Sequence, residues 1–287
     1  MRARALGSVM LLLATVPFSA AAQGWDSASS AQFATIPWEK GPALGDLGSE
    51  AQIRVPEGCL FTKGDGVRQF NELTQNPTGE NERAIVFCAE EGEEPWFVVM
   101  SFDASGYVKD DERDKLDADA MLGSLQKGTE IGNKERSTRG WATLTIEGWA
   151  QPPHYDTKTN NLTWATRIVA SGGGPVINHS VRLLGRGGVM HADLVAGPDD
   201  YQGALPMFDG LIGTFEYRSG HKYAEWRKGD KVAAYGLAAL VAGGAGVAMV
   251  NSGLLAKLWK VILAGVVAVG AGLKRLLGNK NSSNSRA

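Results

Sequence analysis

The sequence predicts an α+β fold, an antiparallel sheet with packed helices, followed by a C-terminal transmembrane helical segment. An α-β-α sandwich is one arrangement of such a sheet and its helices. Three observations support the prediction. Residues 143–195 alternate apolar and polar side chains between glycine-rich turns, as antiparallel strands do. Apolar spacing typical of helices occurs on both sides of this block, and residues 232–250 carry no charge.

The central block predicts a four-stranded meander. Residues 162–168 and 177–183 each place apolar side chains at every second position, and Gly172-Gly173-Gly174-Pro175 separates them. A similar run at 189–195 follows another glycine-rich turn, and a shorter one at 143–147 precedes the block. Sequential strands joined by short turns pair antiparallel, so these four runs are expected to be neighbours.

Outside this block, shorter patterns predict the remaining elements. Apolar residues at period two predict strands at 53–55, 84–87, 96–102 and 215–217. Helices are expected to begin near Asp65, Asp117 and Asp200, because aspartate accepts hydrogen bonds from the free N–H groups of a first helical turn.

The N-terminus has the pattern of a secretory signal peptide over residues 1–22. Two arginines precede a mostly apolar core at 5–18, and Ala20-Ala21-Ala22 forms a small-residue cleavage site. The alternative is a retained membrane span, for which the apolar core is short. Export predicts a flexible N-terminal arm at 23–50 and an α+β periplasmic domain at 51–220.

The C-terminus predicts membrane attachment over residues 232–277. Residues 232–250 are nineteen uncharged residues, or ~29 Å of helix, which matches the bilayer core. The uncharged stretch between Lys260 and Lys274 is ~20 Å, too short to span alone. It either returns as the second helix of a hairpin or lies in the membrane interface with its basic face toward headgroups.

These membrane alternatives define the expected location and partners. Small residues at every fourth position from Ala238 would allow self-association or contact with an envelope protein, and the lipid bilayer itself is a predicted partner. Residues 221–231 are then a juxtamembrane linker and 278–287 a polar tail. The predicted location is the bacterial inner membrane, with the main domain in the periplasm.

Charge and cysteine content narrow the classes of protein. A net charge of -2 and a pI near 6.1 provide no basic excess for a nucleic acid partner. Cys59 and Cys88 are the two cysteines, and an even count in an oxidising compartment predicts a disulfide, with two free thiols as the alternative. Their spacing predicts neither a metal site nor a cofactor.

The chain contains no hydrolase or nucleotide-binding motif, so candidate site residues come from polar groups near the meander. They are Asp110, Asp111, Tyr155, Asp156, Arg182 and Arg186, of which Arg182 and Arg186 would accept an anionic ligand or a partner's carboxylate. A purely structural alternative is open for two of them. Asp156 would cap the turn that follows it, and Arg182 would pair with a carboxylate across the strands.

Several longer motifs resemble a known family. They are Gly106–Glu112 (GYVKDDE), PPHYD at 152–156, NLTWA at 161–165, NHSVRLLGRGGV at 178–189, and GHKYAEW with GDKVAAYGLAALVAG at 220–243. The chain resembles the bacterial family called domain of unknown function 2167. The resemblance implies an exported protein with a C-terminal membrane segment, and it implies no activity. Asn178-His179-Ser180 departs from the family's usual Asn-Tyr, and the cysteine pair is not a family hallmark.

The order of meander, helix and short strand is also similar to the α-β-α sandwich of the PsbP-type proteins of photosystem II, a similarity of fold alone. The function that the sequence predicts is an uncharacterised, membrane-anchored envelope protein, a non-catalytic binding or assembly module facing the periplasm. The alternative is a periplasmic membrane-bound enzyme of unspecified class, using Asp110 or Asp111 with Arg182.

Overall fold

A computed structural model describes residues 27–89 and 95–241. Its helices are α1 (Ser27–Thr35), α2 (Asp65–Leu73), α3 (Ala118–Thr138), α4 (Tyr201–Gly213) and α5 (Leu237–Val241). Its strands are β1 (Glu39–Lys40), β2 (Ala43–Asp46), β3 (Ala51–Val55), β4 (Cys59–Lys63), β5 (Glu82–Cys88), β6 (Trp96–Asp103), β7 (Leu144–Asp156), β8 (Asn161–Ala170), β9 (Pro175–Leu184), β10 (Val189–Ala196) and β11 (Glu216–Tyr217).

The predicted meander forms half of a large antiparallel sheet. Its strand order is β1-β4-β5-β6-β10-β9-β8-β7, so the four predicted strands are consecutive and end at β7. The α+β class and the antiparallel sheet are therefore confirmed. A second, three-stranded sheet has the order β11-β3-β2.

The two faces of the large sheet are both covered. On face A, Ile177, Val181 and Leu183 belong to one core cluster with Phe208 and Leu211 of α4 and with Ile53 of the small sheet. On face B, Leu162 and Trp164 pack with α5, while Ile85 and Phe87 pack with α2. The sheet is thus the middle of three layers.

The disulfide predicted from the sequence is present. Cys59 of β4 lies opposite Cys88 of β5 in the antiparallel register, and their sulfur atoms are bonded. Both residues are about 1% exposed, so the bridge lies inside the core. It joins neighbouring strands 29 residues apart in sequence.

Helix α3 hydrogen-bonds to the free edge of the sheet. The side-chain amide of Asn133 donates a hydrogen bond to the carbonyl of Leu144 in β7 at 2.8 Å, and it accepts one from the N–H of Leu144, also at 2.8 Å. Gln126 donates to the carbonyl of Ile146 at 3.1 Å. These amides take the place of a neighbouring strand at this part of the edge.

Helix caps follow the sequence in part. Asp117 caps α3 as predicted, accepting a hydrogen bond from the N–H of Ala120 at 3.0 Å. Asp65 is instead the first residue of α2, whose N-cap is Gly64, and it pairs with Arg68.

The prediction of a loose N-terminal arm is wrong for residues 27–50. These residues form α1, β1 and β2, and β2 pairs antiparallel with β3. Ile36 and Leu47 are 4% and 0% exposed, and Trp38 packs edge-on against Phe70 at 6.0 Å between ring centroids. The elements are too short to produce a detectable period, yet their isolated apolar side chains complete two core clusters.

The domain also continues past the predicted boundary at Gly220. Residues 221–241 pack on the sheet, so the predicted linker at 221–231 is part of the fold. Val232 pairs with Tyr107 in an isolated bridge, and helix begins only at Leu237. Within the described ranges, no helix has both the length and the apolar character needed to cross a bilayer. The predicted signal peptide at 1–22 and the C-terminal residues 242–287 lie outside the described residues.

Candidate functional site

The motif-rich segments converge at one end of the sheet, where they hold residues 229–241. The N–H of Tyr107 donates to the carbonyl of Lys231 at 2.9 Å, and the N–H of Ala233 donates to the carbonyl of Tyr107 at 2.9 Å. Gly106 has φ of 104°, and a Cβ at this position would lie 2.7 Å from the Lys231 carbonyl oxygen. Glycine is therefore required both for the backbone conformation and for the close approach of the two segments.

Arg186, a predicted ligand-binding residue, instead fixes this segment through an ion pair. Its Nε and Nη2 donate to the two carboxylate oxygens of Asp230 at 2.7 and 2.8 Å. The Arg186 N–H also donates to the carbonyl of His221 at 2.9 Å. Hydrogen bonds from the Arg186 guanidinium and the Arg227 N–H lower the pKa of Asp230 to about 2. The carboxylate that this arginine was expected to bind is thus its own chain's.

An aromatic stack covers the same junction. The rings of Tyr107 and Tyr223 are nearly parallel, with centroids 4.5 Å apart, and Trp226 lies 5.3 Å from Tyr107. The Tyr223 hydroxyl donates to the Val108 carbonyl at 3.0 Å. Stacked rings bury much apolar area in a fixed geometry, so the stack orients residues 223–226 against the domain.

Helix α5 begins against an acidic side chain. The Glu112 carboxylate accepts a hydrogen bond from the N–H of Ala238 at 3.2 Å. Leu237, Leu240 and Val241 are at most 1% exposed and belong to the core cluster on face B. Residues 237–241 are therefore held by the domain.

The acidic candidates divide into different roles. The Tyr155 hydroxyl donates to Asp110 at 3.3 Å, and Arg113 pairs with Asp110 at 3.1 Å. Burial, followed by the charge of Asp110, raises the pKa of Tyr155. Asp111 is exposed. Asp156 caps its own turn, because its carboxylate accepts from the Lys158 N–H at 2.8 Å.

A second polar group lies in the middle of face B, around Arg182. Its Nη1 donates to Asp193 Oδ1 at 2.9 Å, and the Ser180 hydroxyl donates to the same oxygen at 2.6 Å. The structural alternative for Arg182, a cross-strand carboxylate partner, is thus present on β10. The guanidinium also stacks on Trp164, with Cζ 4.7 Å from the ring centroid. We call Arg182, Asp193, Ser180 and His191 the β9–β10 polar cluster.

His191 completes the β9–β10 polar cluster as a neutral group. It lies opposite Arg182 in the antiparallel register. Burial and the Arg182 charge lower the pKa of His191 to about 3. Asp193 keeps its charge, because Arg182 and the other donors outweigh burial and lower the pKa of this carboxyl. The cluster therefore combines one cation, one anion and a neutral imidazole.

Beside this cluster, a cleft of about 400 Å³ opens on face B. It lies between the end of α2, the end of α3 and the β8–β9 hairpin, and its floor includes Asn178 and Val195. Ser180 joins the cluster to the cleft, since its Oγ atom is 3.4 Å from Oδ1 of Asn178. Among the described residues, no group of three or more histidine, cysteine or acidic side chains could hold a metal ion.

The structure therefore separates the predicted constellation into three places. Asp110 and Tyr155 are together, Arg186 is committed to Asp230, and Arg182 belongs to a different cluster. Sequence reasoning missed Asp193 and Asp230. The alternation of residues 189–195 puts His191 and Asp193 on one face, so aligning β9 and β10 around their turn would have found Asp193 beside Arg182. No comparable local signal marks Asp230.

The fold is a three-layer α+β domain that includes the first residues of an apolar C-terminal segment, and such a fold assigns no function by itself. The family is shown by sequence: a family model described as protein of unknown function (DUF2167) matches residues 39–273, and the chain belongs to that family. This confirms the predicted family. No curated protein matches the chain.

Two solved structures are similar in outline. The solution structure of cyanobacterial PsbP (CyanoP) from Synechocystis sp. PCC 6803 is 13% identical, with a TM-score of 0.39, over 62% of this chain and 94% of that one. A crystal structure of protein of unknown function PA94 from Pseudomonas aeruginosa, titled a putative regulator, is 14% identical, with a TM-score of 0.30, over 61% and 96%. Similarity at this level supports no functional assignment.

Proposed function

We propose that this chain is an exported, membrane-anchored module of the bacterial envelope, whose α+β domain lies in the periplasm and binds a ligand or partner without catalysing a reaction. The observation that carries the proposal is the docking of residues 229–241. Backbone pairing at Tyr107, the Arg186–Asp230 ion pair and the Glu112 contact together fix this segment. Because the domain holds the first residues of the apolar segment, the orientation of the domain relative to those residues is fixed.

The surface around this junction suits a bilayer interface. Trp226 and Val232 are 39% and 41% exposed, and Arg227, Lys228 and Lys231 are exposed beside them. Aromatic and basic side chains are enriched where a protein meets lipid headgroups. The composition of residues 242–273 agrees, because their only charged residues are two lysines, at 257 and 260.

Docking shortens the first apolar stretch that is available to the membrane. With residues 232–241 assigned to the domain, residues 242–256 are the next uncharged run, and fifteen residues give ~22 Å of helix. This is less than the ~30 Å of a bilayer core. The anchor in this proposal is therefore the whole of residues 242–277, either as a hairpin packed on itself or as an interfacial segment.

The non-catalytic part of the proposal rests on how the candidate groups are paired. The enzymatic alternative needs Asp110 or Asp111 to act with Arg182 on one substrate, and Asp111 is exposed. Asp110 is instead held by Arg113 and Tyr155, and Arg182 is held by Asp193. Each group has its own partner, as in a structural or binding role.

Membrane extraction tests the anchoring. Full-length protein expressed in a bacterial host is expected to stay in the membrane pellet after an alkaline carbonate wash. Val247→Asp combined with Val250→Asp places two charges in the apolar segment and should move much of the protein to the supernatant. Ile131→Asp is the matched control, since Ile131 is 53% exposed on α3, and it should leave the distribution unchanged.

Two results would contradict the proposal. One is wild-type protein that is fully released by the wash. The other is alkylation of Cys59 and Cys88 when protein from cells is unfolded and treated with a thiol reagent without prior reduction. Exported protein carries the disulfide, so its two cysteines should not react. A reporter fused at Ala287 then tests both forms of the anchor: a hairpin and an interfacial segment each leave residue 287 in the periplasm, so activity only in the cytoplasm excludes both.

A further inference from the structure

One edge of the Arg182 guanidinium has no partner. Its Nη1 makes the hydrogen bond to Asp193 and a second one to the Val181 carbonyl at 3.3 Å. Its Nε is buried and unpaired. In the part of the chain that the structure describes, Nη2 has no hydrogen-bond partner either. Nε and Nη2 lie side by side, and their two parallel N–H groups match the spacing of two carboxylate oxygens.

Arg186 shows in the same molecule what this edge binds. Its Nε and Nη2 contact the two oxygens of Asp230 at 2.7 and 2.8 Å. The same edge is thus filled by the protein's own chain in Arg186 and is without a partner in Arg182. A buried N–H without an acceptor is unfavourable, so the open edge gains from an acceptor that arrives from outside.

The open edge is also held in place. Arg182 is 8% exposed, stacks on Trp164 and is fixed by Asp193. Beside it, the Nε2 atom of His191 is likewise buried without a partner. Because Arg182 and His191 are opposite each other in the β9–β10 register, their unpaired nitrogens belong to one location. A preorganised pair of this kind loses little entropy on binding.

We propose that this location binds the carboxylate of a small monocarboxylic acid, with Arg182 Nε and Nη2 donating to its two oxygens and His191 at its side. The ligand is small because Arg182 is too buried for a folded partner's surface to reach. Solvent reaches the Asp193 side of the β9–β10 polar cluster, because the Asp193 side chain is 24% exposed.

Local charge favours a single negative charge on the ligand. Asp193 already neutralises Arg182, and Asp103, held by the Tyr235 hydroxyl, is on the adjacent strand. A phosphate dianion would bring two negative charges close to Asp193 and Asp103, beside the single positive charge of Arg182. The carboxylate of a monocarboxylic acid brings one negative charge, and its two oxygens match the two parallel N–H groups of Arg182. Acetate and benzoate are therefore the probes, and inorganic phosphate is the comparison.

Calorimetric titration of the full-length protein at constant ionic strength and pH 7 tests the proposal. Acetate or benzoate should bind with one site per chain and more tightly than phosphate. Arg182→Lys should weaken binding by about tenfold or more, since an ammonium cannot present two parallel N–H groups. Asp193→Asn, which keeps the shape and removes the charge, should tighten it. Arg167→Lys is the control at an exposed strand arginine and should change nothing.

A second measurement applies to the unmodified protein, whether or not the Arg182→Lys variant folds. The Nε–H resonance of Arg182 in a nitrogen-15 spectrum should shift with the same saturation curve as the heat. Binding that does not saturate, phosphate binding tighter than acetate, or an Asp193→Asn variant with weaker binding would each overturn the assignment. The inference deepens the proposed binding role but rests on Arg182 alone, so its failure leaves the membrane extraction result unaffected.

Discussion

Replacing Tyr217 by phenylalanine should destabilise the domain through two hydrogen bonds and no change of shape. The Tyr217 hydroxyl lies between β9 and β10, donating to the Leu183 carbonyl at 2.7 Å and accepting from the Met190 N–H at 2.8 Å. Leu183 and Met190 are opposite each other in the register, so the phenol oxygen bridges the two strands. Burial raises the pKa of this phenol, in agreement with a hydroxyl shielded from water.

The magnitude follows from what Tyr217→Phe leaves unpaired. A buried N–H and a buried carbonyl each lose their partner, and each unsatisfied group costs about 1–3 kcal/mol. The ring stays in place, because phenylalanine fills the same volume and keeps the edge-on contact with Phe215 at 4.9 Å. We therefore expect the free energy of unfolding to fall by about 3 kcal/mol.

Urea unfolding of the full-length chain, followed by circular dichroism, measures this loss. Tyr201→Phe is the matched control, because its hydroxyl makes one hydrogen bond, to His179 Nδ1 at 2.7 Å. It should cost about 1 kcal/mol. If Tyr217→Phe costs no more than Tyr201→Phe, the bridging role assigned to the hydroxyl is refuted.

Three further predictions concern other parts of the fold. Gly106→Ala should cost about 1–3 kcal/mol and speed tryptic cleavage within 221–231, because its Cβ would displace Lys231; unchanged cleavage would contradict the docking. Burial lowers the pKa of His179 from 6.5 to about 4, so its contribution to stability is full above pH 6.5 and is lost as the pH falls toward 4. Urea midpoints should show a loss of about 3 kcal/mol over this range, and a smaller loss in His179→Asn. Replacing both Cys59 and Cys88 by serine should lower the free energy of unfolding by about 3–4 kcal/mol, as thermal unfolding will show. Dithiothreitol should produce the same loss in the wild-type protein and no loss in the double variant.

The strands of the meander could be predicted because their signal is local. Period-two alternation and glycine-rich turns mark each run, and the disulfide followed from cysteine count and compartment. The face that each run buries could not be predicted in the same way. Leu162 and Val181 both alternate with polar neighbours, yet they lie on opposite faces, because the register between β8 and β9 places Leu162 beside Arg182.

The candidate site was predicted less well because its partners are distant in sequence. Arg186 and Asp230 are 44 residues apart, and no spacing rule joins them. Both arginines pair with carboxylates of their own chain, Arg186 with Asp230 and Arg182 with Asp193, and the spacing of the sequence identified neither partner. Residues 232–236 have the same limitation: their uncharged composition predicts a membrane span, whereas backbone pairing with Tyr107 places Val232 against the domain.

The amide contacts from α3 to β7 limit how two copies of this protein can associate. Asn133 and Gln126 occupy backbone groups that would otherwise accept an added strand, and Pro152 and Pro153 further along β7 have no N–H to donate. The opposite border is β1, two exposed charged residues long. Joining two copies of the large sheet edge to edge is therefore unfavourable at both of its borders.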